Sequence, residues 1–217
     1  MGDRRRPYTG LLDGRGCLCI GGGPSLRGQI ETIQHALARG IPAVAVNFSP
    51  FKFRCQFGAI FDYDWFRDHP SYLWRFPGIL FVPDYRLGAG ARRHYNLVPL
   101  KMRVKDRVPG GDPDLGISDS FSDGLFTNRC GGGLGISVAW ALGANPILLV
   151  GYDSQGDRHW YQDEAPAKID SMDGVRVTLD SLSKFTGERV INCSAETALT
   201  GFPRGELERE LGCLNFS

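Results

Sequence analysis

The chain has 217 residues, 42% of them apolar, with a formal net charge of +1 and an isoelectric point near 7.6. That length fits one domain with enough apolar content for a full core. The near-neutral charge does not predict a surface built for attraction to nucleic acid or membrane.

Residues 1–16, with the Arg4-Arg5-Arg6 cluster, read as a loose, solvated lead-in. No apolar h-region follows those arginines, and no apolar run approaches the length that spans a bilayer. Six cysteines are scattered at 17, 19, 55, 130, 193 and 213, with no C-x-x-C pair. The expectation is a cytoplasmic protein with reduced, mostly buried thiols and no membrane partner.

Cys17–Ile20 predicts a short strand, followed at once by Gly21-Gly22-Gly23-Pro24-Ser25-Leu26 and an amphipathic helix over 27–39. Glycines there let a backbone come close to a ligand, and Ser25 is placed to cap the helix. The stretch is neither G-x-G-x-x-G nor a Walker A loop, since the third glycine and the Gly-Lys-Ser/Thr are missing. A second strand over 43–46 ends at Asn47. After an aromatic, basic loop, a third strand over 59–61 ends at Asp62 and Asp64. A short helix falls within 66–78 and a strand over 78–82. Residues 84–125 are poorly periodic and rich in Gly, Pro, Arg and Asp. They read as an irregular lid over the sheet edge, with one hairpin pairing 95–98 with 101–104.

The chain is organised around residues 130–153. Small, apolar residues between Gly132 and Gly143 predict a helix packed tightly on a sheet. Ile147–Val150 predicts a central parallel strand, and Gly151-Tyr152-Asp153 sits at its carboxyl end. A long loop over 154–174 carries His159, Trp160 and Tyr161. Then come a helix over 178–186, a strand over 190–193 and a final helix over 206–211. The fold class is α/β: one domain over 1–217, with a Rossmann-like, mainly parallel sheet and helices on both faces.

Polar residues at several strand ends would line one edge of that sheet, where open α/β sheets bind ligands. Gly21, Gly22, Gly23, Pro24 and Ser25 form a candidate phosphate turn, with backbone N–H groups aimed at the ligand. Asn47 is placed to bind a nucleotide or acceptor group. Asp62 and Asp64 offer a base or hard oxygen ligands for magnesium. Arg129, Gly131 and Gly132 offer a guanidinium and a helix N-terminus to a phosphate. Asp153 stands at a strand end. His159, six residues later, has a side chain suited to general-base work, with Asp153 or Asp157 placed to orient its ring. Tyr161 could stack or donate to a leaving phosphate. No G-x-S-x-G elbow is present, which disfavours Ser-His-Asp hydrolysis.

The order Ile20-Gly-Gly-Gly-Pro-Ser-Leu26, Val46-Asn47, Gly132 through Asp153 and Val190-Ile-Asn-Cys193 resembles the bacterial sialyltransferases that use CMP-sialic acid. It is also similar to the 6-hydroxymethylpterin diphosphokinase-like proteins. It looks closest to uncharacterised bacteriophage members of that superfamily, in which G-Y-D, His-Trp and a terminal F-P-R recur. Three departures stand out. Gly22 replaces the sialyltransferase Asn, and Gly131 replaces the Ser of its Ser-Gly. Asp170 and Ser171 stand where its catalytic histidine falls. Sialic acid specificity is therefore not expected. The resemblance implies a nucleotide-dependent transferase that moves a sugar from a nucleotide-activated donor to an acceptor hydroxyl, with no cofactor required. The acceptor is open: a sugar, a small molecule or a modified DNA base. The alternatives are a magnesium-dependent diphosphokinase-like phosphoryl transferase and a non-catalytic nucleotide-binding phage protein in a host cytoplasm.

Overall fold

The computed structural model describes residues 8–63, 66, 70–86, 96–102, 115–126, 128–156, 159–160 and 172–214. Seven strands form one sheet: β1 (Cys17–Ile20), β2 (Ala43–Val46), β3 (Phe57–Ala59), β4 (Ile79–Pro83), β5 (Leu97–Leu100), β6 (Ile147–Val150) and β7 (Val190–Asn192). Their order is β5-β4-β3-β2-β1-β6-β7, and every pairing is parallel. A parallel sheet needs cover on both faces, which is why β1, β2 and β6 are apolar at every position.

The pleat divides those side chains into two cores. Cys17, Cys19, Val44, Ile147 and Leu149 face the helices α3 (Gly131–Ala141) and α4 (Met172–Thr186), meeting Leu134, Val138, Leu179 and Leu182. Leu18, Ile20, Ala43, Ala45, Leu148 and Val150 face the other way. They meet Ile33 of α1 (Ile30–Ala38), Leu73 of α2 (Pro70–Arg75), and Leu207 and Leu211 of α5 (Leu207–Cys213). The expected α/β fold with helices on both faces is what forms. None of the described helices is long and apolar enough to cross a membrane.

α3 lies close on the sheet because its residues are small. A Cβ on Gly135 would stand 2.6 Å from Val46 Cγ2 and 3.2 Å from Cys19 Sγ. A real side chain there would push the helix off β1 and β2. Cys130 caps the helix, its Sγ accepting from Gly133 N–H at 3.3 Å.

Several boundaries differ from the sequence expectation. β3 covers 57–59, not 59–61, because its register against Val44–Val46 ends the ladder at Ala59. α4 begins at Met172 and α3 at Gly131. The predicted hairpin is replaced by β5, which pairs parallel with β4. Pro99 is tolerated there because β5 is an edge strand. The described parts of 84–125 are built into the core. Leu97, Val98 and Leu100 are core, as are Phe121, Leu125 and Phe126, and the Phe121 ring stacks on Phe81 at 4.9 Å. Residues 87–95 and 103–114 lie outside the described residues. Nor is the lead-in loose from residue 8 onward. Gly10 N–H donates to Ala141 O at 3.1 Å, Leu12 is buried, and Tyr8 meets Phe81 edge-on.

Candidate functional site

The chain leaves β1 toward β2 on one side and returns to β6 on the other. The strand order therefore reverses between β1 and β6, and the carboxyl ends of that pair open a crevice. Ile20 pairs with both Ala45 and Val150, so the residues that follow come out side by side. A cleft of about 390 Å³ opens at this edge, within the range that holds a small-molecule ligand. Gly21, Gly22, Gly23 and Pro24 line it from β1, Asn47 from β2, and Asp62 from beyond β3. Arg129, Gly131 and Gly132 line it from the start of α3, and Asp153 from β6. His159 completes the polar part. Phe61, Tyr152, Met172, Val175 and Leu179 give it an apolar wall. Asp64 and Tyr161 lie outside the described residues.

The glycine turn does not present a row of free amides. Gly21 N–H donates to Val150 O and Gly23 N–H to Gly151 O, each at 2.8 Å. Pro24 has no N–H. Ser25 N–H donates to Asp153 Oδ2 at 2.7 Å, and Ser25 Oγ to Asp153 Oδ1 at 2.5 Å. Ser25 is thus not the helix cap. Gly23 holds that position in extended backbone, and a 3₁₀ turn over Pro24–Gln29 leads into α1. The anion at this turn is the chain's own Asp153 carboxylate, buried and fully engaged. Burial pushes its pKa up, and the two Ser25 donors pull it back. Of the turn's amides, Gly22 N–H meets no acceptor among the described residues.

These glycines are required by the protein itself. A Cβ on Gly21 would collide with Gly151 O, and one on Gly23 with the Asp153 carboxylate. On Gly22 it would stand 2.8 Å from His159 Nδ1. The segment beyond β7 braces the facing turn. Ser194 Oγ accepts from Tyr152 N–H, Thr197 Oγ1 donates to Tyr152 O, and Ala198 N–H donates to Asp153 O, all at 2.7 Å.

His159 comes to the cleft through Gly22, whose carbonyl lies 3.2 Å from Nδ1. Asp153 does not supply that contact, since it is turned to Ser25, and Asp157 lies outside the described residues. A carbonyl only accepts, so the neutral ring carries its proton on Nδ1 and its lone pair on Nε2. Burial lowers the His159 pKa below the usual 6.5, opposed by Gly22 O and by the Asp62 charge. The neutral, proton-accepting form is therefore favoured near neutral pH.

Asn47 has φ +51, a left-handed conformation that Asn tolerates. Its Oδ1 accepts from Phe61 N–H at 2.9 Å, and its Nδ2 donates to Asp62 Oδ2 at 2.5 Å. Asn47 thereby shapes the turn beyond β3 and holds Asp62 at the rim. At the start of α3, Gly131 and Gly132 occupy the first turn, where N–H groups have no intrahelical acceptor.

Sequence reasoning placed Arg129 here but missed three residues that shape the site: Asn128, Cys130 and Tyr152. Asn128 and Arg129 are both left-handed, at φ +47 and +50. Asn128 is buried and holds that shape by bonding Gly116 N–H, Gly116 O and Ser137 Oγ, which aims Arg129 at the cleft. An Asn three residues before a Gly-rich helix start was the available signal. Tyr152 donates its hydroxyl to Gly132 O at 3.0 Å and meets Cys19 Sγ at 3.0 Å, tying α3 to β1. Cys130 lines the cleft as the α3 cap. Among the described residues, no group of three or more His, Cys, Asp or Glu side chains could hold a metal ion.

Fold and cleft together define an α/β protein with a Rossmann-like parallel sheet and a ligand crevice at its switch point. No protein-family model matches the chain, and no curated protein matches it. Among solved structures it is similar to the MAf glycosyltransferase from Magnetospirillum magneticum AMB-1. The identity is 16% and the TM-score 0.59, over 95% of this chain and 38% of that one. The chain thus spans well under half the length of that structure, and at this identity the likeness is one of fold.

Proposed function

We propose that the chain is a transferase of the glycosyltransferase kind, taking a nucleotide-activated sugar in the switch-point cleft. One observation carries the reading: His159, the start of α3 at Gly131 and Gly132, and Gly22 all line one cavity of ligand size. The similarity of fold to a glycosyltransferase and the sialyltransferase-like motif order support it. In this reading the leaving phosphate lies against the N-terminus of α3 and Arg129, not against Ser25, whose donors already hold Asp153. His159 Nε2 takes the proton of the acceptor hydroxyl. The acceptor oxygen bonds to the anomeric carbon, the bond from that carbon to the phosphate oxygen breaks, and its electron pair leaves with the phosphate. Asp153 is assigned to anchoring the glycine turn, and Asp62 to the rim facing His159.

The test is a thermal-shift panel of CMP, UMP, GDP, ATP and NAD on wild type and Gly22→Val. A nucleotide should raise the melting temperature of wild type. Gly22→Val should lose that shift at least tenfold in midpoint concentration, because its side chain enters the space of the His159 ring. No response to any nucleotide, or an unchanged midpoint in folded Gly22→Val, overturns the reading.

A further inference from the structure

Ser154, the residue after Asp153, holds a conformation that its neighbours leave to glycine. Its φ is +48, in the left-handed region that disfavours a residue with a Cβ. At the left-handed positions on either side, Gly151 (φ +68) and Gly156 (φ +79), the chain supplies glycine. Bonds on the preceding residues hold the backbone in place: Ser194, Thr197 and Ala198 grip Tyr152 and Asp153. Ser154 lines the switch-point cleft and is 7% exposed. Among the described residues, neither its hydroxyl nor its N–H meets a hydrogen-bond partner. A polar side chain that is mostly buried and unpaired is uncommon in a folded chain and calls for a reason. Packing supplies none: glycine would suit the backbone, and alanine would suit the burial.

We propose that Ser154 is a ligand-binding residue, its hydroxyl pairing with a hydroxyl of a neutral sugar ring held at the β6 end of the cleft. Arg129 lines the cleft at the start of α3, beside Gly131 and Gly132, and that end suits a phosphate. Ser154 instead follows directly on the Asp153 carboxylate, on which the Glu196 charge also acts. Asp62 stands on the far side, beyond β3, with the Asn47 amide as partner. A ligand anion beside Asp153 is disfavoured by like charge. A sugar hydroxyl carries no charge and both donates and accepts, as a serine hydroxyl does. Gln155 adds an exposed amide to the same lining, also without a partner among the described residues. The ribose of a nucleotide and the sugar to be transferred offer this same chemistry. The inference rests on the switch-point cleft being the ligand site, but it requires neither a nucleotide ligand nor His159 as base.

The experiment compares wild type, Ser154→Ala and Ser154→Gly, first by melting temperature without ligand and then by affinity in NMR titrations. The probes are ribose, glucose, CMP, UMP, GDP, ATP and NAD. Without ligand, Ser154→Ala should melt no lower than wild type, because no hydrogen bond is lost. Ser154→Gly should melt no lower either, because φ +48 suits glycine. A probe that binds wild type through this residue should bind both variants about three- to tenfold more weakly, the share of one hydrogen bond. Weakening confined to ribose and the nucleotides places the ribose at Ser154, and weakening confined to glucose places the transferred sugar there. Either variant melting clearly below wild type shows a structural bond and overturns the proposal. Unchanged affinity for every probe, or no binding of any probe to wild type, overturns it as well. Sugar binding that depends on Ser154, with no response to any nucleotide, upholds the proposal and refutes the nucleotide reading. Nucleotide binding with unchanged affinity in both variants does the reverse.

Discussion

The pairing of Ser25 with Asp153 permits a quantitative test of the anchoring role. Ser25→Ala removes the bond from Oγ to Oδ1 and keeps the bond from N–H to Oδ2. A hydrogen bond to a charged acceptor contributes about 1.5–3 kcal/mol, and partial exposure of Ser25 favours the lower end. For a chain of this size each kcal/mol moves the melting temperature by about 2–4 °C. Ser25→Ala should therefore melt about 3–6 °C below wild type. Asp153→Ala strands both donors and should cost about twice as much. In the double variant the hydroxyl bond cannot be lost twice. The combined loss should then fall short of the sum by about 1.5 kcal/mol, well above the scatter of independent sites. Calorimetry or circular dichroism on the four proteins gives the cycle. Losses that add within about 0.5 kcal/mol would refute the coupling, and with it the claim that Asp153 holds the turn.

Two further outcomes follow from the same geometry. Gly135→Ala should lower the urea midpoint, since overpacking against Val46 and Cys19 costs about 1–3 kcal/mol and outweighs the gain of up to about 1 kcal/mol in helix propensity; an equal or higher midpoint contradicts the close seating of α3. His159 has a folded pKa below its unfolded value of about 6.5, so the unfolded chain takes up its proton first as pH falls, and stability should drop from pH 6.5 downward until the folded ring also protonates. His159→Gln should flatten that part of the curve of melting temperature against pH, and an unaltered curve assigns the dependence elsewhere.

Much of the fold was legible because parallel strands buried on both faces read as unbroken apolar runs. Leu18, Val44 and Leu148 lie in such runs, and Gly135 announced a helix that must sit close. β5 was not legible, because an edge strand can carry Pro99 and a polar flank without penalty. Phe121 and Leu125 were overlooked for a related reason. They enter the core from irregular backbone, which has no period to detect. At the site, the positions of Gly22, Asn47, Asp62 and Asp153 along the sheet edge followed from strand ends, Gly131 from a helix start and His159 from its closeness to Asp153. Their partners did not. That Asp153 turns to Ser25, or that Gly22 O takes both His159 and Trp160, depends on contacts between segments far apart in sequence.

The reversal of strand order between β1 and β6 also sets a schedule for folding. The first half of the chain holds β1 through β5 and can pair them in sequence, but it holds only one wall of the cleft. The facing wall arrives with Val150 to Asp153, and its braces, Ser194 and Thr197, come later still. Contacts between such distant segments form late, because closing the intervening loop must come first. A nascent chain ending before β6 would expose the Gly21–Gly23 turn with neither Asp153 nor Gly151 to close it. The crevice is thus completed only once Ser194 and Thr197 have docked, after the strands it opens between have paired.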